Sequence, residues 1–562
     1  MITSLILPPG LVLILGALLL PALRGTLRSV ALLALPLVTI WLVWSLADGA
    51  VLKAPLLGYD LVIVKVDKLS RLFALVFAIM AFAGVLFSLN QTRTMELSAA
   101  LAYAGSAIGA VLAGDLITVF IFWELMAIGS TIVILCGAKG SEHAAFRYAL
   151  IHLLGGVLLM AGIAGEIQAT GSIAFTKMDL STPARWLILG GFLINAGAPP
   201  LAAWLSDAYP ESSWSGMVFL SAFTTKTAVY VLLRGFPGTE LLVPIGLFMV
   251  FYGIVYAILE NDMRRILAYS IVNQVGFMVT GVGIGTEMAL NGAAAHAFTH
   301  IIYKALLLMS AGSVLLMTGK RKCTDLGGLF RTMPLTCLFG IVGALAISSF
   351  PATSGFVSKS MIAQGAADQH LMVVWMLLAA ASAGVFLHAG IKFPWFVFFQ
   401  KDSGLRPAEP PTNMLAAMLL MSALCIGIGI LPGPLYDLLP YKVDYVPYTA
   451  AHVVFQLQLL LFSGLAFFLM LPLLKRTLTI TLDADWLWRR LGRFALGGVD
   501  STGERVWGRI AQGASAGGAA LSRALHRHHG PDGIFGRSWP TGSMAFWMTV
   551  MLGAYLILAY AR

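Results

Sequence analysis

The chain has 562 residues, of which 59% are hydrophobic and only 11% are charged. Because soluble globular proteins carry about 25% charged residues, this composition excludes a water-soluble enzyme of this size. The formal net charge is +10, and much of the basic excess lies between residues 475 and 541, beside the last apolar run. Cytoplasmic membrane surfaces select basic residues next to spans, so no nucleic-acid partner is expected.

About sixteen apolar runs, bounded by charged residues or by Pro and Gly, are long enough to cross about 30 Å of hydrocarbon as helices. They predict an all-α polytopic membrane protein. The runs lie at roughly 5–23, 29–47, 69–90, 97–113, 115–136, 146–168, 183–205, 213–234, 241–259, 264–284, 288–318, 334–366, 371–399, 414–432, 451–474 and 542–561. Lys and Arg are more frequent in the loops after odd-numbered spans, so these loops are expected in the cytoplasm and both termini on the other side.

Two spans contain residues that break helices. One reads GFLINAGAPPLAAWL (191–205) and the other reads LAISSFPATSGFVSKSMI (345–362). Pro lacks a backbone donor and clashes with the preceding turn, so each span is expected to form two half-helices around an irregular piece. A matched pair of broken spans is typical of transporters built from inverted repeats, although two unrelated Pro kinks would give the same pattern.

The domain organisation is expected to follow these spans. The predicted divisions are N-terminal helices 1–96, a first repeat 97–235, a second repeat 241–400, C-terminal helices 414–474, an interfacial arm 476–541 and a last helix 542–562.

The arm begins with LDADWLWRRLGRFALGG (482–498), in which aromatic and basic residues stand among apolar ones. This composition is typical of a helix that lies in the membrane interface. The residues concerned are Trp486, Trp488, Arg489, Arg490 and Arg493. The small-residue stretch that follows, with His526, His528 and His529, predicts a solvated loop rather than a metal site.

Ionisable side chains inside the spans are the strongest functional signal, because each costs a few kcal/mol in the membrane. Glu124 lies in DLITVFIFWELMAIGS (115–130), well inside the apolar part of its span. It is suited to loading and releasing a proton, or to a structural pair with one basic residue of a neighbouring span. Lys226, in FLSAFTTKTAVYVLLRG, lies too deep for its stem to reach the surface. It must pair or lie in a wet cavity, where a lysine can transfer protons.

Three further ionisable residues form a row in GAAAHAFTHIIYKALLLMSAG. His296, His300 and Lys304 have i, i+4, i+8 spacing, which puts them on one helix face about 6 Å apart per step. Such a row is suited to a proton relay, since His titrates closest to neutral pH. Hydrogen-bonded structural histidines are the alternative. HAFTH lacks the Glu of a zinc-protease helix, and no other ligand follows at suitable spacing, so no metal is expected.

Lys359 follows the second helix break and is expected at the start of a half-helix, beside backbone groups that the break leaves free. For Arg264 and its neighbour Arg265, at a span boundary, an interfacial anchor is the better interpretation. The secondary candidates are Asp262, Arg264, His388, Lys392 and Asn195.

Five stretches, in order and at matching spacing, resemble the antiporter-like membrane subunits shared by respiratory complex I, Mrp-type multisubunit sodium/proton antiporters and membrane-bound hydrogenases. Within this family the sequence looks most like the D-type component of the Mrp antiporters, and the likeness covers roughly residues 60–430. The stretches are DLITVFIFWELMAIGS, WLSDAYPESSWSGMVFLSAFTTKTAVYVLLR, ENDMRRILAYSIVNQVGFMVTG, GAAAHAFTHIIYKALLLMSAG and MPLTCLFGIVGALAISSFPATSGFVSKSMI.

The resemblance implies about fourteen core helices in two inverted five-helix repeats, with a polar axis at the membrane midplane that carries protons. Carried over by matching position, the axis would consist of Glu124, Lys226, His296, His300, Lys304 and Lys359.

The chain departs from the family pattern in the seventh helix. The family usually has a lysine there, in a stretch of the form GFxIKAGxxPxHxWLPDAH, whereas this chain reads GFLINAGAPPLAAWLSDAY with Asn195 at the lysine position. In the family that lysine is thought to pair with the glutamate of the fifth helix. Without it, Glu124 is expected to be protonated at rest or paired with Lys226. The other departures are Ala202, Ser206 and Tyr209 for the usual His, Pro and His, and Ser360 for an acid.

The favoured function is a proton-translocating subunit of a multisubunit complex in a bacterial inner membrane, with other membrane subunits as partners and H⁺, with Na⁺ or K⁺, as transported ions. The alternative is a structural subunit of the same fold whose first half-channel is inactive. An enzyme in its own right is not expected, although the chain can belong to an ion-translocating oxidoreductase. The sequence has no Gly-rich nucleotide loop, no Cys set for an iron–sulfur cluster and no paired His for haem, so no cofactor is expected.

Overall fold

A computed structural model of the protein describes residues 7–56, 58–473, 483, 485–530, 533 and 540–561, with 485 and 487–506 described by their backbone alone. The chain divides into two compact units, Met1–Asp485 and Trp486–Arg562. The first unit contains the helix bundle with all the candidate site residues named above. The second contains the arm and the last helix.

The described residues of the first unit are helical apart from one β-hairpin and the connecting loops. Its elements in chain order are α1 (Pro9–Leu19), α2 (Gly25–Ser45), β1 (Val51–Leu56), β2 (Tyr59–Lys65), α3 (Lys68–Phe87), α4 (Thr94–Leu112), α5 (Leu116–Leu135), α6 (Ser141–Thr170), α7 (Pro183–Ala196), α8 (Trp204–Ala208), α9 (Gly216–Leu220), α10 (Thr224–Gly235), α11 (Leu242–Leu259), α12 (Met263–Ile284), α13 (Glu287–Thr318), α14 (Pro334–Ile347), α15 (Ser354–Asp368), α16 (Met372–Val385), α17 (Thr412–Ile430), α18 (Gly433–Asp437) and α19 (Ala450–Leu469). α16 continues as two π-helical segments, Phe386–Lys392 and Trp395–Phe399.

Each predicted apolar run is helical in the part of the chain that the structure describes. Thirteen helical segments there are long and apolar enough to cross a membrane, and α1 and α14 are shorter apolar helices. Neighbouring runs are separated by capping side chains: the Asp115 carboxylate accepts from the Thr118 N–H at the start of α5, and Thr286 caps α13 in the same way. Such caps satisfy N–H groups that a helix start leaves free. The predicted all-α polytopic membrane fold is confirmed.

Both predicted helix breaks are present. α7 ends at Ala196, and the chain passes through Gly197, with φ at +77°, and two prolines before α8 begins at Trp204. α14 ends at Ile347, and the chain turns through Ser349 and Ala352, both with positive φ, before α15. A third break separates α9 from α10 at residues 221–223. It was not predicted, because Ser-Ala-Phe contains neither Pro nor Gly.

The hairpin β1–β2 was also not predicted from the sequence, because its short alternation lies between two much longer apolar runs. Its strands are antiparallel, with a bulge at Leu52/Lys53. It docks on the turn between α4 and α5, where the Val62 N–H donates to the Asp115 carboxylate at 2.6 Å and the Gly114 N–H donates to the Val62 carbonyl. Asp115 therefore caps a helix and anchors the hairpin at once.

α12 and α13 lie at the centre of the first unit. The whole apolar window of α12 and 78% of that of α13 are buried, whereas α2 and α19 bury 22%. α11 meets α12 backbone to backbone, since a Cβ on Gly276 would lie 2.6 Å from the carbonyl oxygen of Gly246. Polar groups on α12 and α13 are therefore surrounded by protein and not by lipid.

The second unit contains α20 (Asp485–His529), a single helix of 45 residues, and α21 (Thr541–Tyr560). The prediction of a solvated loop in the small-residue and His-rich stretch that begins at residue 513 is wrong: its Ala and Leu residues favour helix, and α20 continues to His529. The side chains of Trp488, Arg489, Arg490 and Arg493 lie outside the described residues, so the interfacial face stays a prediction. His526, His528 and His529 are exposed, and the described residues contain no group of metal-binding side chains.

Candidate functional site

The interior of the first unit contains a series of amines and imidazoles. Burying such groups costs several kcal/mol per charge unless a partner compensates. Those with at most 7% of their surface exposed are His152, Lys226, His296, His300, Lys304, Lys359, His388 and Lys392. Of the six residues predicted for the proton axis, all but Glu124 belong to this set.

Lys226 lies at the unpredicted break between α9 and α10. Its Nζ donates to the Ser221 carbonyl at 2.7 Å and to Thr225 Oγ1 at 3.1 Å. The Ser221 carbonyl is available because the break removes the intrahelical donor that would otherwise reach it. The sequence predicted that Lys226 needs a polar partner, and the structure shows that a backbone carbonyl is that partner.

Lys359 repeats this arrangement at the second predicted break. Its Nζ donates to the Ile347 carbonyl, the last of α14, at 3.0 Å. The ammonium also lies 4.9 Å from the centre of the Phe277 ring, within the range of a cation–π contact. The prediction that Lys359 lies beside backbone groups freed by the break is confirmed.

His296 is held by side chains of three helices. Its Nε2 is 3.0 Å from Gln274 Oε1 on α12, and its Nδ1 is 3.2 Å from Ser358 Oγ on α15. The Tyr303 hydroxyl donates to the same Gln274 oxygen at 3.1 Å. The imidazole of His296 therefore joins the central helices to the half-helix that bears Lys359.

His300 and Lys304 follow along α13. The His300 and His296 rings are 6.3 Å apart, and neither His300 nitrogen has a hydrogen-bond partner among the described residues. Lys304 donates to Ser270 Oγ at 2.8 Å and more weakly to the Leu267 carbonyl. An imidazole whose nitrogens form no hydrogen bonds can take up or release a proton without first breaking a hydrogen bond.

Like charges meet along this row. Lys304 acts electrostatically on Lys226, Lys359 acts on Lys304, and all three act on His300. None of the three amines forms an ion pair with a carboxylate in the described part of the chain. Because buried like charges without counter-charges are costly, these groups cannot all be protonated at once. A proton on one of these groups therefore disfavours a proton on the next.

The secondary candidates divide between the axis and one end of the bundle. His388 and Lys392 lie in the first π-helical segment, and Lys392 donates to carbonyls at the end of α11, including that of Ala257 at 3.1 Å. Asp262 caps α12 and pairs with Arg321 at 2.8 Å. Arg264 is 2% exposed and donates to the carbonyls of Pro210, Ser212 and Ser213. Arg264 is therefore not the expected interfacial anchor: its guanidinium is buried and binds the backbone of the segment between α8 and α9.

Glu124 lies apart from these groups, between α5 and α6. Its Oε1 has no hydrogen-bond partner among the described residues, and a Cβ on Gly156 would lie only 2.1 Å from it. The glycine therefore makes room for the carboxyl. Asn195, fully buried on α7, has no partner for either side-chain polar atom among the described residues. The pair with Lys226, one of the two states expected for Glu124, is not formed, because the Lys226 ammonium donates instead to the Ser221 carbonyl at the helix break.

One cavity lies beside Lys359, and another lies at the C-terminal end of α13. The Lys359 cavity has a volume of about 340 Å³, and residues 445–449 form part of its wall. The same loop contacts the start of α13, where the Tyr441 N–H donates to the Asn291 side chain. The Arg264 cavity, of about 650 Å³, lies at the end of α13. The Lys359 cavity is lined by Phe356, Lys359, Ser360, Tyr445, His452 and Gln456. The Arg264 cavity is lined by Arg93, Lys139, Glu211, Ser213, Arg264 and Arg321.

Sequence reasoning missed several of these side chains. Gln274, Tyr303 and Ser358 bridge His296, but as neutral residues in apolar helices they carry no signal of their own. His152, buried on α6, was not singled out although its position inside an apolar run is the same kind of signal that marked His296.

Known proteins share both sequence and fold with this chain. Residues 113–386 match the family described as NADH:quinone oxidoreductase/Mrp antiporter, TM. The D-type component of the Na⁺/H⁺ antiporter of Alkalihalophilus pseudofirmus is 29% identical over 353 residues, covering 58% of this chain and 71% of that protein. NADH-quinone oxidoreductase subunit M of Pseudomonas aeruginosa is 26% identical over 462 residues, covering 73% and 90%.

A chain of respiratory complex I from Thermus thermophilus has the same fold. The two superpose with a TM-score of 0.68 over 80% of this chain and 99% of that one, at 22% identity. At this identity the likeness concerns the fold alone.

Proposed function

Since this chain belongs, through residues 113–386, to the NADH:quinone oxidoreductase/Mrp antiporter transmembrane family and is an antiporter-like membrane subunit, we propose that it conducts protons along its buried row of amines and imidazoles. The row runs from Lys226 through His300 and Lys304 to Lys359, with His296 beside it. The observation that carries the proposal is that these bases are buried together without a carboxylate partner among the described residues.

The row favours protons over metal cations as its cargo. Sodium and potassium ions need several oxygen ligands, as hard cations do. Ammonium groups would repel them, and the described residues offer no cluster of metal-binding side chains. A proton, in contrast, can be taken up by any free amine or imidazole of the row. Exchange for Na⁺ or K⁺ would then take place elsewhere in the complex.

The two cavities suggest how the row reaches each side of the membrane. α13 has 32 residues and is about 48 Å long, so its ends lie near opposite faces. The basic loops around the Arg264 cavity predict that it faces the cytoplasm, and the Lys359 cavity then faces outward. Lys359 is both the last amine of the row and part of the wall of the outward cavity.

The wider organisation is part of the proposal. We infer that the chain works with other membrane subunits in a bacterial inner membrane, and that the complex is a cation/proton antiporter or an ion-translocating oxidoreductase. The broken helices support two inverted repeats at residues 97–235 and 241–400, each contributing one half-channel. The oxidoreductase and antiporter names of the relatives support both kinds of complex equally.

The test is proton flux through the complex purified by a tag on this chain and reconstituted in vesicles. Lys226→Ala and Lys359→Ala are each expected to lower flux by at least about a hundredfold, since a positioned proton-transfer group contributes that much. Lys177→Ala, which removes an exposed lysine, is the matched control and should leave flux unchanged.

The same measurement separates the alternative function. If flux survives in the double variant Glu124→Ala/Lys226→Ala but is lost in Lys359→Ala, only the second half conducts and the first is structural. If Lys359→Ala conducts like the wild type, the proposed pathway is wrong.

A further inference from the structure

His152 is a buried titratable group that the proposed pathway leaves without a role. It lies on α6, 1% exposed, with its ring stacked 3.8 Å from that of Tyr148 and edge-on to Trp204 at 4.6 Å. Its Nδ1 is 3.0 Å from the Tyr148 carbonyl, and its Nε2 has no hydrogen-bond partner among the described residues. Since a carbonyl can only accept, Nδ1 carries the proton and Nε2 is the free basic nitrogen.

His152 lies one helical turn from the residue against which Glu124 packs. Residues four apart on a helix share a face about 6 Å apart, so His152 and Gly156 face the same way, and Gly156 is where the Glu124 carboxyl packs. Beside it on α6, a Cβ on Gly155 would lie 3.6 Å from Asn195 Oδ1. Glu124 and Asn195, which have polar atoms without a partner among the described residues, therefore approach adjacent glycines of α6, one turn from His152.

In the other direction, hydroxyl groups lead from His152 toward Lys226. The Tyr148 hydroxyl donates to Ser130 Oγ at 2.9 Å and also lies close to that of Thr224. Thr224 Oγ1 is 2.6 Å from the Tyr103 hydroxyl. Thr224 begins α10, two residues before Lys226, which itself donates to Thr225. Hydroxyl groups of Ser130, Tyr103 and Thr224 thus lie between the ring stacked on His152 and the start of the helix that bears Lys226.

We propose that His152 passes protons between Glu124 and the hydroxyl groups that lead to Lys226, at the place where Asn195 supplies no titratable group. This inference rests on the proposed function. In one step the O–H bond of the Glu124 carboxylic acid breaks and an Nε2–H bond forms, through an intervening water molecule, which leaves a carboxylate and an imidazolium. The imidazolium then passes that proton, through a further water molecule, to the first of these hydroxyl groups, which releases its own proton to the next, so that the imidazole and the hydroxyl group are both neutral again.

Among the described residues, the rings that contact His152 are those of Tyr148 and Trp204. Glu124 from α5 and Asn195 from α7 approach the neighbouring glycines of its helix, and Tyr209 packs on Tyr148 and Trp204. Arg147, beside Tyr148 in the chain, pairs with Asp207 at 2.7 Å. The competing role for His152 is packing alone, since its ring fills the space between Tyr148 and Trp204.

Two variants distinguish relay from packing in the reconstituted complex. His152→Phe keeps an aromatic ring for stacking but cannot carry a proton, and it is expected to lower flux by at least about tenfold. His143→Phe, an exposed position in the first turn of the same helix, is the control and should conduct normally. If His152 and Glu124 act on the same path, blocking one blocks the path. The double variant Glu124→Gln/His152→Phe should therefore have the same proton flux as Glu124→Gln alone.

Chemical rescue of proton flux distinguishes the two roles, because a residue that only packs would not respond to the basicity of the added compound. In His152→Ala, added imidazole should restore flux in a dose-dependent way, whereas pyrazole, of the same shape but far less basic, should not. Wild-type flux in His152→Phe, or equal rescue by both compounds, would overturn the inference. Loss of flux in Lys226→Ala and Lys359→Ala with normal flux in His152→Phe would leave the proposed function standing and remove only His152 from it.

Discussion

In the part of the chain that the structure describes, the buried amines donate to backbone carbonyls and hydroxyl groups and not to carboxylates. Lys226 and Lys359 each donate to a carbonyl that a helix break has freed, and Lys392 donates to carbonyls at the end of α11. A carboxylate would hold the proton on the amine by full charge attraction, whereas a carbonyl binds it only as a dipole. Amines partnered in this way are suited to both accepting and releasing protons.

The ion pair between Asp67, which precedes α3, and Arg234, in the last turn of α10, gives a prediction for pH. Burial would raise the pKa of the Asp67 carboxyl, but the charge of Arg234 and hydrogen bonds from Ser70 and Arg234 outweigh it and hold the pKa below its usual value. A carboxyl with a lowered folded-state pKa stabilises the fold above its unfolded pKa of about 3.9 and loses that contribution as the pH falls through the folded value.

Asp67→Asn should therefore lower the melting temperature at pH 7 by about 1–2 °C, since a half-exposed pair contributes about 0.5–1 kcal/mol. Asn remains a good helix cap, so the loss reports the charge. The difference from wild type should shrink below about pH 4. Differential scanning fluorimetry in detergent measures it, with the exposed Asp60→Asn as the charge-matched control. A pH-independent difference would contradict the assignment.

At the scale of elements, helix breaks place the functional groups. An unbroken helix uses its own carbonyls, and only a break leaves one available to a side chain at depth. The break between α14 and α15 depends on α17, because Gly429 lies against it: a Cβ there would lie 2.4 Å from the Ala352 carbonyl oxygen. The position of Lys359 thus depends on the fit of a neighbouring helix.

Gly429→Ala should displace this break and disturb the bond between Lys359 and Ile347. We expect a loss of about 1–3 kcal/mol in stability from overpacking, together with reduced proton flux. Gly427→Ala, on the same helix with nothing within 4 Å of its Cβ, should be neutral or slightly stabilising, since Ala favours helix over Gly. Equal melting temperatures and equal flux for the two variants would show that the close approach is unimportant.

At the scale of the whole molecule, the second unit exposes far more apolar surface than a solitary soluble element would. α21 has no buried residue, and large apolar side chains such as Phe546, Met551 and Leu558 are more than 60% exposed. In α20, Trp507 is 72% exposed. Lipid or other subunits must cover such surfaces. The first unit, in contrast, has a continuous core of its own.

A chain ending at residue 485 should therefore keep the melting temperature of the bundle in detergent while losing other subunits that co-purify with the full chain. Size-exclusion chromatography and mass spectrometry of material from a mild-detergent extract measure both properties. Full recovery of partners by the shortened chain would show that the second unit does not bind them, and a collapsed melting temperature would show that the bundle needs it.

Much of this fold could be predicted from the sequence. The length of each apolar run and the missing donor of proline are properties of contiguous residues, so the helices and both proline-containing breaks were predicted. The arrangement of His296, His300 and Lys304 along one helix also follows from spacing alone. The break before Lys226 could not be predicted, because no local residue demands it.

By itself the sequence determined which groups are placed in the membrane and on which helix each one lies. Only the tertiary structure decided what each group meets: Ser221 for Lys226, Gln274 and Ser358 for His296, Gly156 for Glu124, and Tyr148 with Trp204 for the overlooked His152. The physical reason is range. Propensity and hydrophobic length act between neighbours in the chain, whereas the partner of a buried polar group is chosen by contacts between helices far apart in sequence.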